Sequence, residues 1–97
     1  MHSLYYEAII QLRKPTQEVF DFVYSQIYER KNIFISKEVQ LKTGVDLYIS
    51  DQRFARSLGA RLKKAFGGTV VISRSLYGLS KSTGKTVYRL TVCYRLD

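Results

Sequence analysis

Hydrophobic and polar positions change period along this chain, and the changes mark out seven elements. Over residues 4–13 the period is two. Tyr6, Ala8, Ile10 and Leu12 make one face and Tyr5, Glu7, Ile9, Gln11 and Arg13 the other, as expected of a half-buried strand. Pro15 then suits the first turn of a helix, where its missing amide costs nothing. A helix is predicted over residues 15–30, with Val19, Phe20, Val23, Tyr24 and Ile27 as its core stripe. Glu18 and Asp21 near its start, and Arg30 and Lys31 at its end, suit the helix dipole. Residues 33–42 form a second predicted strand, with Ile33, Ile35, Val39 and Leu41 on one side. Lys37 interrupts that side and marks either a bulge or a strand end. Thr43-Gly44 is a turn signal that joins this strand to residues 45–50 as a hairpin. There Val45, Leu47 and Ile49 alternate with Asp46, Tyr48 and Ser50.

The second helix is the clearest element. Ser50 or Asp51 can accept hydrogen bonds from the free amides at its start. Phe54, Leu58, Leu62 and Phe66 recur every fourth residue, and Gly67-Gly68 supplies the positive-φ stop. Residues 69–74 are a β-branched run and predict a strand. Residues 75–86, SLYGLSKSTGKT, predict a long mobile hairpin loop. The last strand spans residues 87–96. Tyr88, Leu90, Val92, Tyr94 and Leu96 face inward, and Val87, Arg89, Thr91, Cys93 and Arg95 face outward. The order β-α-β-β-α-β-β predicts a single α+β domain over residues 1–97, with both helices on one face of a mostly antiparallel sheet. Crossovers through the helices should be right-handed. The other sheet face is open or covered by something else.

Charge changes the picture most. The chain carries a net charge of +8. Residues 1–50 hold six basic and six acidic side chains, whereas residues 51–97 hold ten basic and two acidic. The whole excess therefore lies in the second half, the electrostatic footprint of a polyanion binder. Its centre is the second helix. Arg53, Arg56, Lys63 and Lys64 lie opposite the apolar stripe, within roughly a third of the helical circumference. No acidic residue stands among them, so intrahelical ion pairing does not account for them. These four are the first candidates for contact with RNA phosphates. Lys81 and Lys85 in the predicted loop, and Arg74, Arg89 and Arg95 on the strands, are secondary candidates. They extend the same patch if the loop leans toward the helix. Otherwise Arg89 and Arg95 define a second surface on the open sheet face. Among the eight tyrosines, Tyr48 and Tyr77 are the best placed for base stacking, although packing is the better explanation, since tyrosines are normal sheet residues and the aromatic strand motif of RNA-recognition-motif domains is absent.

Catalysis and cofactors find little support. His2 is the only histidine and Cys93 the only cysteine, so neither a metal site nor a nucleophilic pair is expected. Asp51 is expected to be a helix cap. Gly67-Gly68 follows a helix instead of preceding one, so it is a C-cap and no phosphate cradle. No apolar run approaches the roughly 20 residues of a membrane span, and no signal-peptide pattern opens the chain. A cytoplasmic monomer is expected, with no membrane partner and no small-molecule substrate. The alternative to an RNA binder is a protein-interaction scaffold that uses the first helix or the open sheet.

Four blocks carry a family resemblance: YYEAIIQLR at residues 5–13, GVDLYIS at 44–50, FARSLGARLKKAFGG at 54–68 and KTVYRLTVCYRL at 85–96. Together they resemble the central domain of the nonsense-mediated-decay protein three family, the ribosomal large-subunit export adaptor and its archaeal relatives. The resemblance implies a fold like that of a small ribosomal protein. It implies binding to the large ribosomal subunit through ribosomal RNA and large-subunit ribosomal proteins near the tRNA-exit side. The role it implies is ribosome assembly, quality control or export adaptation. Full-length members carry N-terminal CxxC zinc motifs, a C-terminal translation-factor-like module and, in eukaryotes, export signals. With one cysteine in this chain, zinc is not carried over, nor is nuclear export. The chain is then an excised domain or a natural short relative, and its lack of acidic tails or insertions favours an archaeal source.

Overall fold

The structure is a computed structural model that describes residues 5–79 and 86–96. Its elements are β1 (Ala8–Arg13), α1 (Gln17–Tyr28), β2 (Ile35–Leu41), β3 (Gly44–Ile49), α2 (Gln52–Phe66), β4 (Thr69–Leu79) and β5 (Thr86–Arg95). The five strands form one sheet in the order β2-β3-β1-β5-β4. β1 runs parallel to β5, and every other neighbouring pair is antiparallel. The architecture is therefore the α+β fold that the alternation predicts. Strand β1, near the chain start, sits at the sheet centre between the β2–β3 hairpin and the β4–β5 hairpin.

Alternation decides the core. Ala8, Ile10 and Leu12 of β1, Val45, Leu47 and Ile49 of β3, and Leu90, Val92 and Tyr94 of β5 are all fully buried. They meet Val19, Val23 and Ile27 of α1 and Phe54, Ala55, Leu58 and Leu62 of α2 in one cluster. Both helices thus cover the same sheet face. Thr16 caps α1 by accepting from the Val19 amide at 3.3 Å, one residue past Pro15. On the helix side Phe20 and Tyr24 are partly buried against the core, and the Tyr24 hydroxyl donates to Glu38 of β2 at 2.6 Å.

Three sequence expectations are corrected. First, β2 slips register between Ile35 and Lys37, so Lys37 marks a bulge. A one-residue shift turns every later side chain to the other face. Val39 and Leu41 consequently share the open face with Lys37, and Glu38 and Gln40 take the helix side. Second, β4 continues to Leu79, so residues 75–79 belong to a strand paired with Arg89–Thr86 and Tyr77 is no loop residue. Composition rich in Ser and Gly hid this extension, and a register shift between Leu76 and Gly78 accommodates it. Third, the chain bends at Glu7 before β1 begins, so Tyr6 and Glu7 exchange faces. Tyr6 packs edge-on against Tyr48, with ring centroids 4.8 Å apart, on the open side. The Glu7 carboxylate instead accepts from the Gln52 amide at the start of α2, at 3.0 Å.

Candidate nucleic-acid interface

Helix α2 is held at both ends. The Asp51 carboxylate accepts from the Phe54 amide at 3.0 Å, and Glu7 satisfies a second free amide of the same end. At the other end the Gly67 amide donates to the Lys63 carbonyl at 2.9 Å. Gly67 and Gly68 both have positive φ, +78° and +86°. A Cβ on Gly68 would lie 2.5 Å from the Arg95 carbonyl oxygen, so the chain can leave α2 at this point only as glycine. Between the caps, Gly59 lets the helix approach the sheet closely. A Cβ there would be 2.9 Å from Val92 Cγ1 and 3.3 Å from Val70 Cγ1. The helix axis is thereby fixed, and its outer face is fixed with it.

That outer face carries Arg53, Arg56, Lys63 and Lys64, all exposed. Arg53 to Lys64 spans about 16 Å of helix at ~1.5 Å per residue. Among the described residues none of the four is in an ion pair; the ion pair present joins Arg13 to Asp46 at 2.7 Å on the far side of the sheet. Lys63 and Lys64 lie in the last turn, where the helix dipole favours cations. Arg53 lies in the first turn, where no acidic side chain stands and the dipole does not favour it. Its position is explained by the outside of the helix better than by the inside. A fifth cation of α2, Arg61, counts toward the excess charge but stands outside the stripe. It donates to Gln26 of α1 and ties the two helices together. On the helical wheel it lies about 60° beyond Lys64, outside the stripe.

The strand arginines divide. Arg74 points to the helix-bearing face beyond α2, with its guanidinium 4.8 Å from the centre of the Tyr88 ring. The Tyr88 carbonyl accepts from the Gln52 side chain at 3.4 Å, which sets this pair beside the start of α2. Arg89 and Arg95 lie on the opposite, open face. Arg89 donates to the Tyr6 carbonyl at 3.1 Å and covers the Tyr6 ring at 3.8 Å. Lys37 covers Tyr48 at 5.4 Å, so an aromatic and cationic cluster of Tyr6, Tyr48, Lys37 and Arg89 forms there. The structure therefore brings Arg74 to the side of the α2 stripe and leaves Arg89 and Arg95 as a second surface. Lys81 and Lys85, and the side chain of Tyr77, lie outside the described residues.

A family model described as NMD3, second domain, matches residues 5–96. This chain belongs to the NMD3 family. A search of curated proteins returns no match. The NMD3 family is associated with the large ribosomal subunit and is in general non-enzymatic. In this NMD3 domain no three His, Cys, Asp or Glu side chains among the described residues are grouped to hold a metal ion. No helix among those residues is long and apolar enough to cross a membrane. Titration is perturbed at two tyrosines. Partial burial, then the hydrogen bond to Glu7 and its charge, push Tyr5 up to about 12. Burial, then the hydrogen bond to Glu38 and its charge, also raise Tyr24. Both are hydroxyls held neutral as donors to carboxylates, which is a structural duty.

Proposed function

We infer that this domain binds the large ribosomal subunit by laying the exposed stripe of α2 against ribosomal RNA, with no catalytic step. The observation that carries this reading is the stripe itself: Arg53, Arg56, Lys63 and Lys64 on one outward face, unpaired among the described residues. Held on a rigid, doubly capped helix, they meet phosphates without first leaving acidic partners. Arg74 extends the same side. Arg89 and Arg95 supply a second cationic surface for large-subunit components, and Lys81 and Lys85 complete the candidate set. The domain works as a cytoplasmic monomer in ribosome assembly, quality control or export adaptation.

The test neutralises Arg53, Arg56, Lys63 and Lys64 together to Gln and measures binding to large subunits and to their RNA against salt. These side chains are exposed, so the fold should change little. Each lost phosphate contact flattens the log–log salt slope by roughly 0.7–0.9, so four contacts give a change of about 3. Unchanged affinity and slope overturn the reading. Binding that then survives nuclease treatment and depends on α1 favours a protein-interaction scaffold instead.

A further inference from the structure

A five-stranded open sheet has two edges, and this one treats them differently. The β2 edge is guarded. Its ladder is broken by the bulge at Ile35/Lys37, it carries Lys37 and Glu38, and Tyr24 of α1 reaches across to Glu38. Bulges, charges and a covering helix are the means by which proteins blunt an edge. The β4 edge has no bulge over its first half, and its one charged side chain there is Arg74. From Thr69 to Leu76 it pairs with β5 in unbroken register, and among the described residues Val70–Ser75 make no backbone hydrogen bonds except to β5. The run Val-Val-Ile-Ser-Arg-Ser holds no proline, lysine or carboxylate. Two large apolar side chains stand out of it on opposite faces: Val71 is 58% exposed and Ile72 38% exposed.

We propose that the outer edge of β4, residues 70–75, receives an extended strand from a partner protein, with apolar side chains at its centre and acidic ones toward its ends. A strand added here completes the open backbone ladder and covers Val71 on one face and Ile72 on the other. The acidic character follows from charge. β4 and β5 together contain Arg74, Arg89 and Arg95 and no Asp or Glu. Arg74 lies on the edge strand on the helix side. Arg95 lies opposite Thr69, one strand in, on the open side. An incoming strand therefore meets a cation near each end of the exposed run, on alternate faces. A second copy of the chain brings the same carboxylate-free ribbon and a net charge of +8 against itself, so electrostatics oppose it. Nucleic acid lacks the alternating amide donors and carbonyl acceptors that a ladder needs. This surface includes Arg74, which flanks the α2 stripe, but none of Arg53, Arg56, Lys63 and Lys64.

The test uses the full chain and a labelled nine-residue peptide, Glu-Glu-Val-Thr-Val-Thr-Val-Glu-Glu, with a lysine-for-glutamate version as comparison. Fluorescence anisotropy gives affinity, and amide hydrogen exchange locates the site. The glutamate peptide is expected to bind and to slow exchange in β4 but not in β2. The lysine peptide should bind about tenfold more weakly, and Arg74→Glu should reverse that order. Ile72→Lys, at an exposed position, should weaken binding by at least about tenfold while preserving the fold. Three results overturn the proposal: no binding of the glutamate peptide at millimolar concentration, equal binding by wild type and both variants, or protection of β4 by self-association alone. The variant with Gln at positions 53, 56, 63 and 64 should bind the peptide normally, so failure here and failure of the α2 reading are distinguishable.

Discussion

The Tyr94 hydroxyl donates to the Gly67 carbonyl at 2.8 Å, joining the C-terminal end of β5 to the turn that ends α2. Tyr94 is completely buried, so its hydroxyl needs partners, and the Gly67 carbonyl is one of the unsatisfied groups at a helix end. The bond therefore sets where the basic stripe stops. Tyr94→Phe is expected to cost about 1 kcal/mol in denaturant unfolding, the usual net value of one hydrogen bond. Amide exchange should quicken in the last turn of α2, around Lys63 and Lys64, more than in its first turn. Uniform quickening along the helix would contradict a local tie.

The seat of α2 on the sheet depends on Gly59. Gly59→Ala should gain about 1 kcal/mol in helix propensity. The new Cβ would meet Val92 Cγ1 at 2.9 Å, and Val92 is a stiff β-branched side chain in the closed core. Overpacking of this kind costs about 1–3 kcal/mol, so the single variant should be less stable than wild type. In a Val92→Ala background the nearer obstacle is gone and Val70 Cγ1 at 3.3 Å remains, so Gly59→Ala should then turn stabilising, by less than about 1 kcal/mol. A cycle of four denaturation curves measures this change of sign. Additive behaviour would rule out the contact as the cause.

Alkaline pH should expose the two tyrosine–carboxylate bonds. Tyr5 and Tyr24 hold their protons above the ordinary tyrosine value of 10.0, Tyr5 to about 12. A group whose pKa is raised on folding lends stability that is complete below its unfolded pKa and is lost as pH climbs toward the folded value. The denaturant midpoint should therefore be flat approaching pH 10 and decline above it. Tyr24→Phe should reduce the steepness of that decline, and Tyr5→Phe should do so chiefly between pH 10 and 12. An identical alkaline limb in both variants would show that these hydroxyls titrate freely.

Much of this was readable from residue order because the readable parts are locally determined. Helix α2 has its apolar period, its Asp51 cap and its glycine stop all within one short stretch, and each survives in the structure. Strands β1, β3 and β5 lie inside the sheet with one face buried, so strict alternation reports their orientation. The misread features depend on neighbours distant in sequence. Val39 and Leu41 follow the alternation of β2, but a bulge read out only against β3 turns them to the open face. Residues 75–79 have the composition of a loop and become a strand because β5 offers them a ladder. Arg61 looks like one more surface cation until α1 brings Gln26 to it. For the candidate interface, the membership of the α2 stripe was visible in the sequence. That Arg74 joins its side while Arg89 and Arg95 turn away follows from strand parity in a sheet whose order no local pattern announces.

The central place of β1 also governs when the fold can form. β1 pairs with β3 on one side and with β5 on the other, and β5 is the last strand of this domain. During synthesis the β1–β3–β2 half can assemble early, since its partners are near in sequence. The β1–β5 contact closes a loop that contains almost the entire domain, as in the bond between Arg89 and Tyr6. Until that closure, Ile10 and Leu12 have a bare edge beside them and α2 has little floor to rest on. Such long-range closure slows folding and exposes apolar surface in the interval. The domain is thus expected to acquire its basic face only in the last step of its own folding, when the C-terminal strand emerges and slots in beside the first.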